Sequence, residues 1–277
     1  MEKIAIVCSS RDPAGVNIRD SLISGFGFQE TGIHFENNPV FRNTSLKNRE
    51  ILLYTTGSEL INSENIDKRI DSGSIIFISK HRSRENTPSF AVHSIGNFGT
   101  NELGGKEKTL CSSSPLLLKS IFLELNKFAA KTGFEITMEA THHGPYTEKP
   151  SVFAEIGSTE KEWTDKANGE IMAKAIMAAL NMQDRGSCNI AVGLGGPHYC
   201  NNFNKIALNN DIAFSFICPK FNLDKIDELM LKQAIEKTKE KIDFFVLDWK
   251  GLGKEKQNIV EMLTRMNIEF KRTDKII

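Results

Sequence analysis

A chain of 277 residues with 40% hydrophobic and 25% charged side chains has the apolar content to bury a substantial core, which excludes an intrinsically disordered protein. Lysine plus arginine and aspartate plus glutamate both number 35, so the net charge is zero, and any nucleic-acid partner must be met by a local patch. Five cysteines without a C-x-x-C pair argue against a disulfide framework or a cysteine zinc knuckle and favour a reducing cytoplasm, while no run approaches the roughly 18 apolar residues of a membrane span.

The opening MEKIAIVCSS carries Glu2 and too short an apolar run for a signal peptide, and it reads as a first strand from Lys3 to Ser9. SSRDPAG follows, with Asp12 as a helix N-cap and Pro13 at the first turn; a turn of this kind at a sheet's carboxyl edge also suits anions. Strands are expected at Ile51 to Thr55, Ser74 to Ser79 and Phe90 to His93. Lys80 to Ser114 is the most irregular stretch, rich in Arg, Ser, Asn, Pro and Gly, and a stretch of that length inside a compact domain is expected to line a site. It holds HRSR (His81 to Arg84) and HSIGNFG (His93 to Gly99), and Lys80, Arg82, Arg84, Lys106 and Lys108 make it the most basic loop system, fit for phosphate.

A helix capped by Ser114, with Pro115 in its first turn, places Leu118, Ile121, Phe122, Leu125 and Phe128 on one core-facing stripe before Gly133. The strand Phe134 to Thr141 ends in THHGP, where adjacent histidines on extended chain are expected to point to opposite faces, with Gly-Pro fixing the turn. Glu139 shares a face with Thr141. The strand Val152 to Ile156 bears Glu155 and leads through Gly157 to Ser158 and Thr159, a carboxylate, two hydroxyls and helix amides that would make a base and an anion cradle. A single helix is expected from Thr159 to Leu180, with Glu162 completing a capping box. The strand Cys188 to Gly193 runs into GLGGPHYC, whose glycines (Gly195, Gly196) lack the dinucleotide or Walker spacing and read as a substrate-cradling turn presenting His198. Strands Ile212 to Cys218, Asp243 to Asp248 and Ile268 to Lys271, and a helix Asp224 to Lys239 carrying Ile226, Leu229, Met230, Ala234 and Ile235, complete the chain.

This alternation favours one domain over residues 1–277, an α/β fold with a mixed, largely parallel sheet flanked by helices on both faces. Five of the six histidines (His81, His93, His142, His143, His198) fall at strand ends or just beyond, whereas His34 lies in a plain strand-like stretch. Parallel strands would bring the five to one edge. No G-x-S-x-G elbow or cysteine nucleophile motif is present, which favours attack by water over a covalent route. The same histidines with Glu155 or Asp12 are candidate zinc ligands, although no H-E-x-x-H spacing occurs. Rival readings are a nucleoside phosphorylase-like enzyme, a zinc-dependent amidohydrolase, or a non-catalytic tRNA-binding module.

Taken in order, SRDPAG, HRSR, HSIGNFG with ELGGK, EATHHGP, EIGSTEKEW, GLGGPHY and LDWKGL make the whole chain resemble the D-aminoacyl-tRNA deacylase family of archaeal and plant type. The resemblance implies hydrolysis of the ester joining a D-amino acid to tRNA, a fold similar to peptidyl-tRNA hydrolases and nucleoside phosphorylases, and an associated zinc ion. It implies a cytoplasmic enzyme, expected to be a monomer without an obligate protein partner, that clears mischarged tRNA. Carried over residue by residue, the functional positions are His81, His93, Asn97, His142, His143, Glu155, Ser158, Thr159 and His198. His142, His143, Glu155 and His198 are expected to be catalytic, with Asp12, His81, Arg82, His93, Asn97, Ser158, Thr159, Gly195 and Gly196 binding substrate. Pro197 stands where the family has a small or polar residue, and proline has no amide to offer an oxyanion.

Overall fold

The computed structural model describes residues 1–182 and 188–276. In chain order its elements are β1 (Glu2–Ser9), α1 (Pro13–Gly25), β2 (Gln29–Phe35), β3 (Asn38–Asn43), β4 (Arg49–Thr56), β5 (Ser74–His81), β6 (Ser89–Ser94), β7 (Gly96–Asn97), β8 (Thr109–Leu110), α2 (Pro115–Phe128) and β9 (Glu135–Met138). They continue as β10 (Ser151–Gly157), α3 (Glu160–Thr164), α4 (Lys166–Asn181), β11 (Asn189–Leu194), α5 (Asn201–Asn209), β12 (Ile212–Cys218), α6 (Glu228–Glu236), β13 (Phe244–Leu247), α7 (Lys256–Arg265) and β14 (Phe270–Arg272). Among the described residues the larger sheet has the order β2-β3-β4-β1-β5-β10-β6-β9 and the smaller one β12-β11-β13-β14.

In the larger sheet the pairs β1 with β4 and β5, β5 with β10, and β6 with β9 are parallel, while the β2-β3-β4 edge and the β6-β10 pair run antiparallel, as do β7 and β8 in a separate two-stranded sheet. The smaller sheet is parallel throughout. Parallel strands covered on both faces read as unbroken apolar runs, and Ile4 to Cys8 and Ile75 to Ile78 are buried without alternation. One face packs on α1, α2 and α4; the other is covered by the 3₁₀ turns Leu60–Asn62 and Ile66–Lys68 and their loops, through Leu60, Ile66, Ile70 and Tyr146. The sheets join where the chain leaving β9 runs alongside β12: Thr141 donates its amide to the Ile217 carbonyl (2.9 Å) and accepts the Ile217 amide on its hydroxyl (3.0 Å).

Several boundaries differ from the sequence reading. The helix expected from Thr159 to Leu180 breaks at Asp165, whose side chain caps Ala167 while the Asn17 amide donates to the Trp163 and Asp165 carbonyls (2.9 and 2.7 Å). A capping carboxylate and a tertiary hydrogen bond together outweigh continuous helical periodicity. The helix expected from Asp224 starts later, at Glu228, because Asp227 takes the N-cap by accepting from Met230. Phe128 and Leu229, read as core, are 43% and 68% exposed: one is the last residue of α2 and the other lies in the first turn of α6. The β2-β3 hairpin was not foreseen, since β2 is mostly exposed and carries no alternation to betray it.

Candidate active site

The carboxyl ends of β5 and β10 and the chain beyond β6, β9 and β11 converge on a chamber of about 410 Å³. Its walls include Ser79, His81, His142, His143, Glu155 and His198, with Leu60, Ile61, Leu103 and Phe153 on an apolar side and Arg11, Lys80 and Arg82 nearer solvent. The parallel register places Glu155 beside Ser79 and Gly157 beside His81, so β5 and β10 deliver a histidine and a carboxylate from neighbouring strands. On β6, His93 faces Phe153 of β10 and stacks on it (ring centroids 5.2 Å, interplanar 2°).

The histidine doublet does not splay to opposite faces. His143 has φ +46, so the chain leaves extended geometry at that residue and both rings turn the same way. They lie 4.4 Å apart and 4.2 and 4.8 Å from His93, and His198 packs 4.8 Å from His142. Three of these rings have the same orientation device. The Nδ1 atoms of His93, His142 and His143 sit 3.0, 2.8 and 2.6 Å from the carbonyls of Ser94, Ala140 and Gly144. A carbonyl only accepts, so Nδ1 carries the proton; on His142 and His143 this leaves Nε2 a lone pair, while burial of His93 is outweighed by the Glu155 carboxylate 3.9 Å from its Nε2, which raises the His93 pKa.

Two carboxylates share this interior. Glu155 accepts the Ser79 hydroxyl (2.6 Å) and lies 3.5 Å from His81 Nδ1 and 3.9 Å from His93 Nε2. Glu139 is fully buried, 3.4 Å from His81 Nδ1 and 3.5 Å from His198 Nε2. Both its oxygens, and His93 Nε2, lack a hydrogen-bond partner. Burial opposes a charge on His81, but the Glu155 and Glu139 carboxylates outweigh it and raise its pKa to about 9. Burial likewise opposes a charge on Glu155, yet His81 and His93 hold its carboxyl well below the usual range. His142 and His143 go the other way: burial and neighbouring histidines hold His142 well below the ordinary value and bring His143 to about 4.

Donor atoms of His93, His142 and His143 lie within 4.8 Å of one another, as do those of Glu139, His142 and His198, and those of His81, Glu139 and Glu155. Buried imidazoles whose other nitrogen is fixed by a backbone carbonyl, next to unsatisfied carboxylate oxygens, are a donor set that fits zinc.

Of the other expected residues, Asp12 and Arg82 line the chamber, and Ser158, Thr159, Asn97, Gly195 and Gly196 do not. The Ser158 hydroxyl donates to the Thr87 carbonyl (2.6 Å), and that of Thr159 to Glu162 (2.6 Å), so the hydroxyls read as an anion cradle close a strand end and a capping box instead. Asn97 donates to the carbonyls of Gly104 and Lys106 (2.9 and 3.2 Å), pinning the loop that carries Leu103. Gly195 and Gly196 are buried against Asp248, and a Cβ on Gly251 would meet the Gly196 amide at 2.4 Å, so one side of this glycine turn is closely packed backbone. Asp12 caps α1 through Gly15 and also accepts the Lys80 amide (2.9 and 3.0 Å) at the chamber wall. Arg82 lies over the Trp163 ring at 5.2 Å, Lys106 over Tyr146 at 3.6 Å, and Lys108 pairs with Asp227. His34 is exposed on β2. Glu139 was missed as a site residue; the available signal was an acid in an otherwise apolar strand end, two positions before the doublet.

A family model described as D-aminoacyl-tRNA deacylase matches residues 68–271. The D-aminoacyl-tRNA deacylases of Thermococcus kodakarensis and Thermococcus onnurineus are 36% and 37% identical to this chain over 275 residues, each alignment covering 96% of it and 98% of the relative. A crystal structure of a conserved protein of unknown function superposes with a TM-score of 0.89 at 32% identity, covering 99% of this chain and 96% of that one.

Proposed function

The chain belongs to the D-aminoacyl-tRNA deacylase family, and with hydrolysis of the ester between a D-amino acid and tRNA as its activity, we propose that the reaction runs in the histidine–carboxylate chamber. The observation that carries this reading is the convergence of His93, His142 and His143, each proton-fixed at Nδ1 by a backbone carbonyl, beside two buried carboxylates. A water molecule attacks the ester carbonyl. Its oxygen forms the new C–O bond, the bond to the ribose oxygen breaks, and the water's proton ends on that ribose oxygen.

His142 and His198 both line the chamber and are only half-buried, so they can reach substrate. His198, beside Glu139, takes the attacking water's proton and relays it to the leaving ribose, while His142 presents its Nε2 lone pair to the site. His81, kept cationic between Glu139 and Glu155, faces the charge that develops on the carbonyl oxygen. A zinc ion would be held by His93, His142 and His143; when bound it supplies Lewis-acid polarisation of the ester carbonyl. Ser79 and Phe153 hold Glu155 and His93 in place. Selectivity for the D-enantiomer would come from steric exclusion of the L side chain. No helix among the described residues is long and apolar enough to cross a membrane, and we place the enzyme in the cytoplasm, as a monomer.

The test is to charge one tRNA with D-Tyr and with L-Tyr and follow deacylation by the wild type, His142→Ala and His143→Ala, with and without chelator, alongside elemental analysis of the purified proteins. Loss of the D-ester alone, abolished by either substitution, with zinc bound to the wild type and depleted in both variants, is the expected result. Zinc bound stoichiometrically to both alanine variants would remove these residues from the ligand set, and D-ester loss at wild-type rate in both would move the chemistry out of the chamber.

A further inference from the structure

Beside the chamber lies a ledge that the chemistry above does not use. The segment Lys220–Lys225 leaves the carboxyl end of β12, and the Lys220 amide donates to the Gly196 carbonyl (2.9 Å), two residues before His198. On its other side it packs on the loop after β7: a Cβ on Gly99 would meet Lys225 and Asn222 at 3.4 and 3.5 Å. That loop carries Leu103, which lines the chamber. The 220–225 segment is therefore wedged between the two turns that bring Leu103 and His198 to the chamber.

Its side chains are unusual for a surface. Phe221 is 59% exposed, the most exposed aromatic ring among the described residues, and Leu103 is 58% exposed. Phe221 follows exposed Lys220 directly. Lys250, also exposed, leaves the adjoining β13 edge, where Asp248 donates its amide to Leu194 (2.9 Å) and Gly251 packs against the Gly196 amide. Lys225 and Lys108 are held by Asp224 and Asp227 (2.8 and 2.9 Å), so Lys220 and Lys250 are the cations of this edge that the ion pairs among the described residues leave for an outside anion.

An exposed ring next to lysines is the minimal platform for single-stranded nucleic acid: bases stack on the ring and phosphates meet the cations, with little regard to sequence. The aminoacyl ester sits on the terminal ribose of a single-stranded 3′ end, so the nucleotides before it must cross whatever borders the chamber. The geometry points to Phe221, with Lys220 and Lys250, as the platform on which the unpaired 3′ nucleotides of the tRNA stack; this rests on the deacylase reading of the chamber. A duplex acceptor stem would need phosphate contacts alone, and the exposed phenyl ring favours unstacked bases over it.

The closing experiment measures binding and not turnover. Uncharged tRNA, intact and trimmed of its single-stranded 3′ nucleotides, is titrated against the wild type, Phe221→Ala, Phe221→Trp and the double variant Lys220→Ala/Lys250→Ala, with thermal melting to confirm folding. The wild type should bind intact tRNA about tenfold more tightly than trimmed tRNA, Phe221→Ala should lose that preference, and Phe221→Trp should keep it. The lysine variant should weaken binding and flatten its salt dependence. A Phe221→Ala variant that retains the wild-type preference overturns the proposal, as does a wild type that binds both tRNAs equally. Failure of the deacylase reading would show separately, as absent turnover of D-aminoacyl-tRNA by a wild type that still binds.

Discussion

The two sheets meet at the chamber, and the edges they present there are built for different work, His93 and Glu139 arriving from strands that run opposite to β5 and β10. The larger sheet ends in buried ionisable groups: His81 and Glu155 on β5 and β10, His93 on β6, and Glu139 in the chain beyond β9, with three buried polar atoms left unsatisfied. The smaller sheet ends in close backbone packing, where Gly195, Gly196 and Gly251 crowd Asp248, and in exposed cations and an exposed ring. Burying charges without full hydrogen bonding costs stability and is tolerated where it prepares chemistry or a ligand. Exposed groups cost little and suit recognition. The difference fits the proposal that the histidines and carboxylates of the larger sheet carry the reaction, with the smaller sheet supplying His198 and the approach to it.

The sharpest way to break this contrast is Glu155→Gln. It removes the carboxylate that balances His81 and His93, so single-turnover deacylation should fall on the order of 10²–10⁴-fold. Retention of more than a tenth of the rate would show that the first edge is structural.

A second variant tests whether that edge depends on backbone geometry. Gly144 lies where a Cβ would stand 2.3 Å from the Gly105 amide and 2.6 Å from the Ile61 carbonyl, so Gly144→Ala must push apart the turn carrying His143 and the loop carrying Leu103. A melting temperature lower by several degrees and activity reduced at least tenfold are expected, corresponding to about 2 kcal/mol or more of strain. Gly196→Ala, where the nearest atom is Asp248 Oδ2 at 3.0 Å and φ is +81, should lower the melting temperature less and leave the activity loss smaller.

The smallest effect is common to both regions and concerns their buried thiols. Burial raises the Cys8 and Cys111 thiols to about 11 and those of Cys200 and Cys218 well above the ordinary 9.0. The unfolded chain ionises near 9, so the stabilisation is full below pH 9 and is lost as pH rises through about 11. A melting temperature that declines between pH 9 and 11, and declines less steeply in Cys8→Ser/Cys111→Ser, is the expected result. A flat profile over that range would place those thiols in contact with water.

Much of the fold was legible because its signals are local. The apolar runs of β1, β5 and β10, Asp12 before Pro13, the Ser114–Pro115 start of α2 and the Thr159–Glu162 capping box all act within a few residues, and each appears in the structure. The break at Asp165 was not legible, since Asn17 lies far away in sequence and its amide decides it. Nor was the pairing of β2 with β3, since the stretch around His34 reads as strand-like but its partner is fixed only in three dimensions.

The sequence by itself determined the α/β class, the strand ends at which the five histidines sit, and the family to which the chain belongs, because periodicity, capping and motif order are properties of neighbouring residues. Tertiary structure alone decided which of those residues share a chamber. It brought Glu139 in through the chain beyond β9 and turned both members of the doublet toward His93 through a left-handed His143. It also turned the Ser158 hydroxyl to the Thr87 carbonyl and packed the GLGG turn against Asp248. Whether a hydroxyl or an amide is free for substrate depends on what stands across from it in space, and where the partner is distant in sequence, as Thr87 is from Ser158, that is set by strand register and sheet contacts.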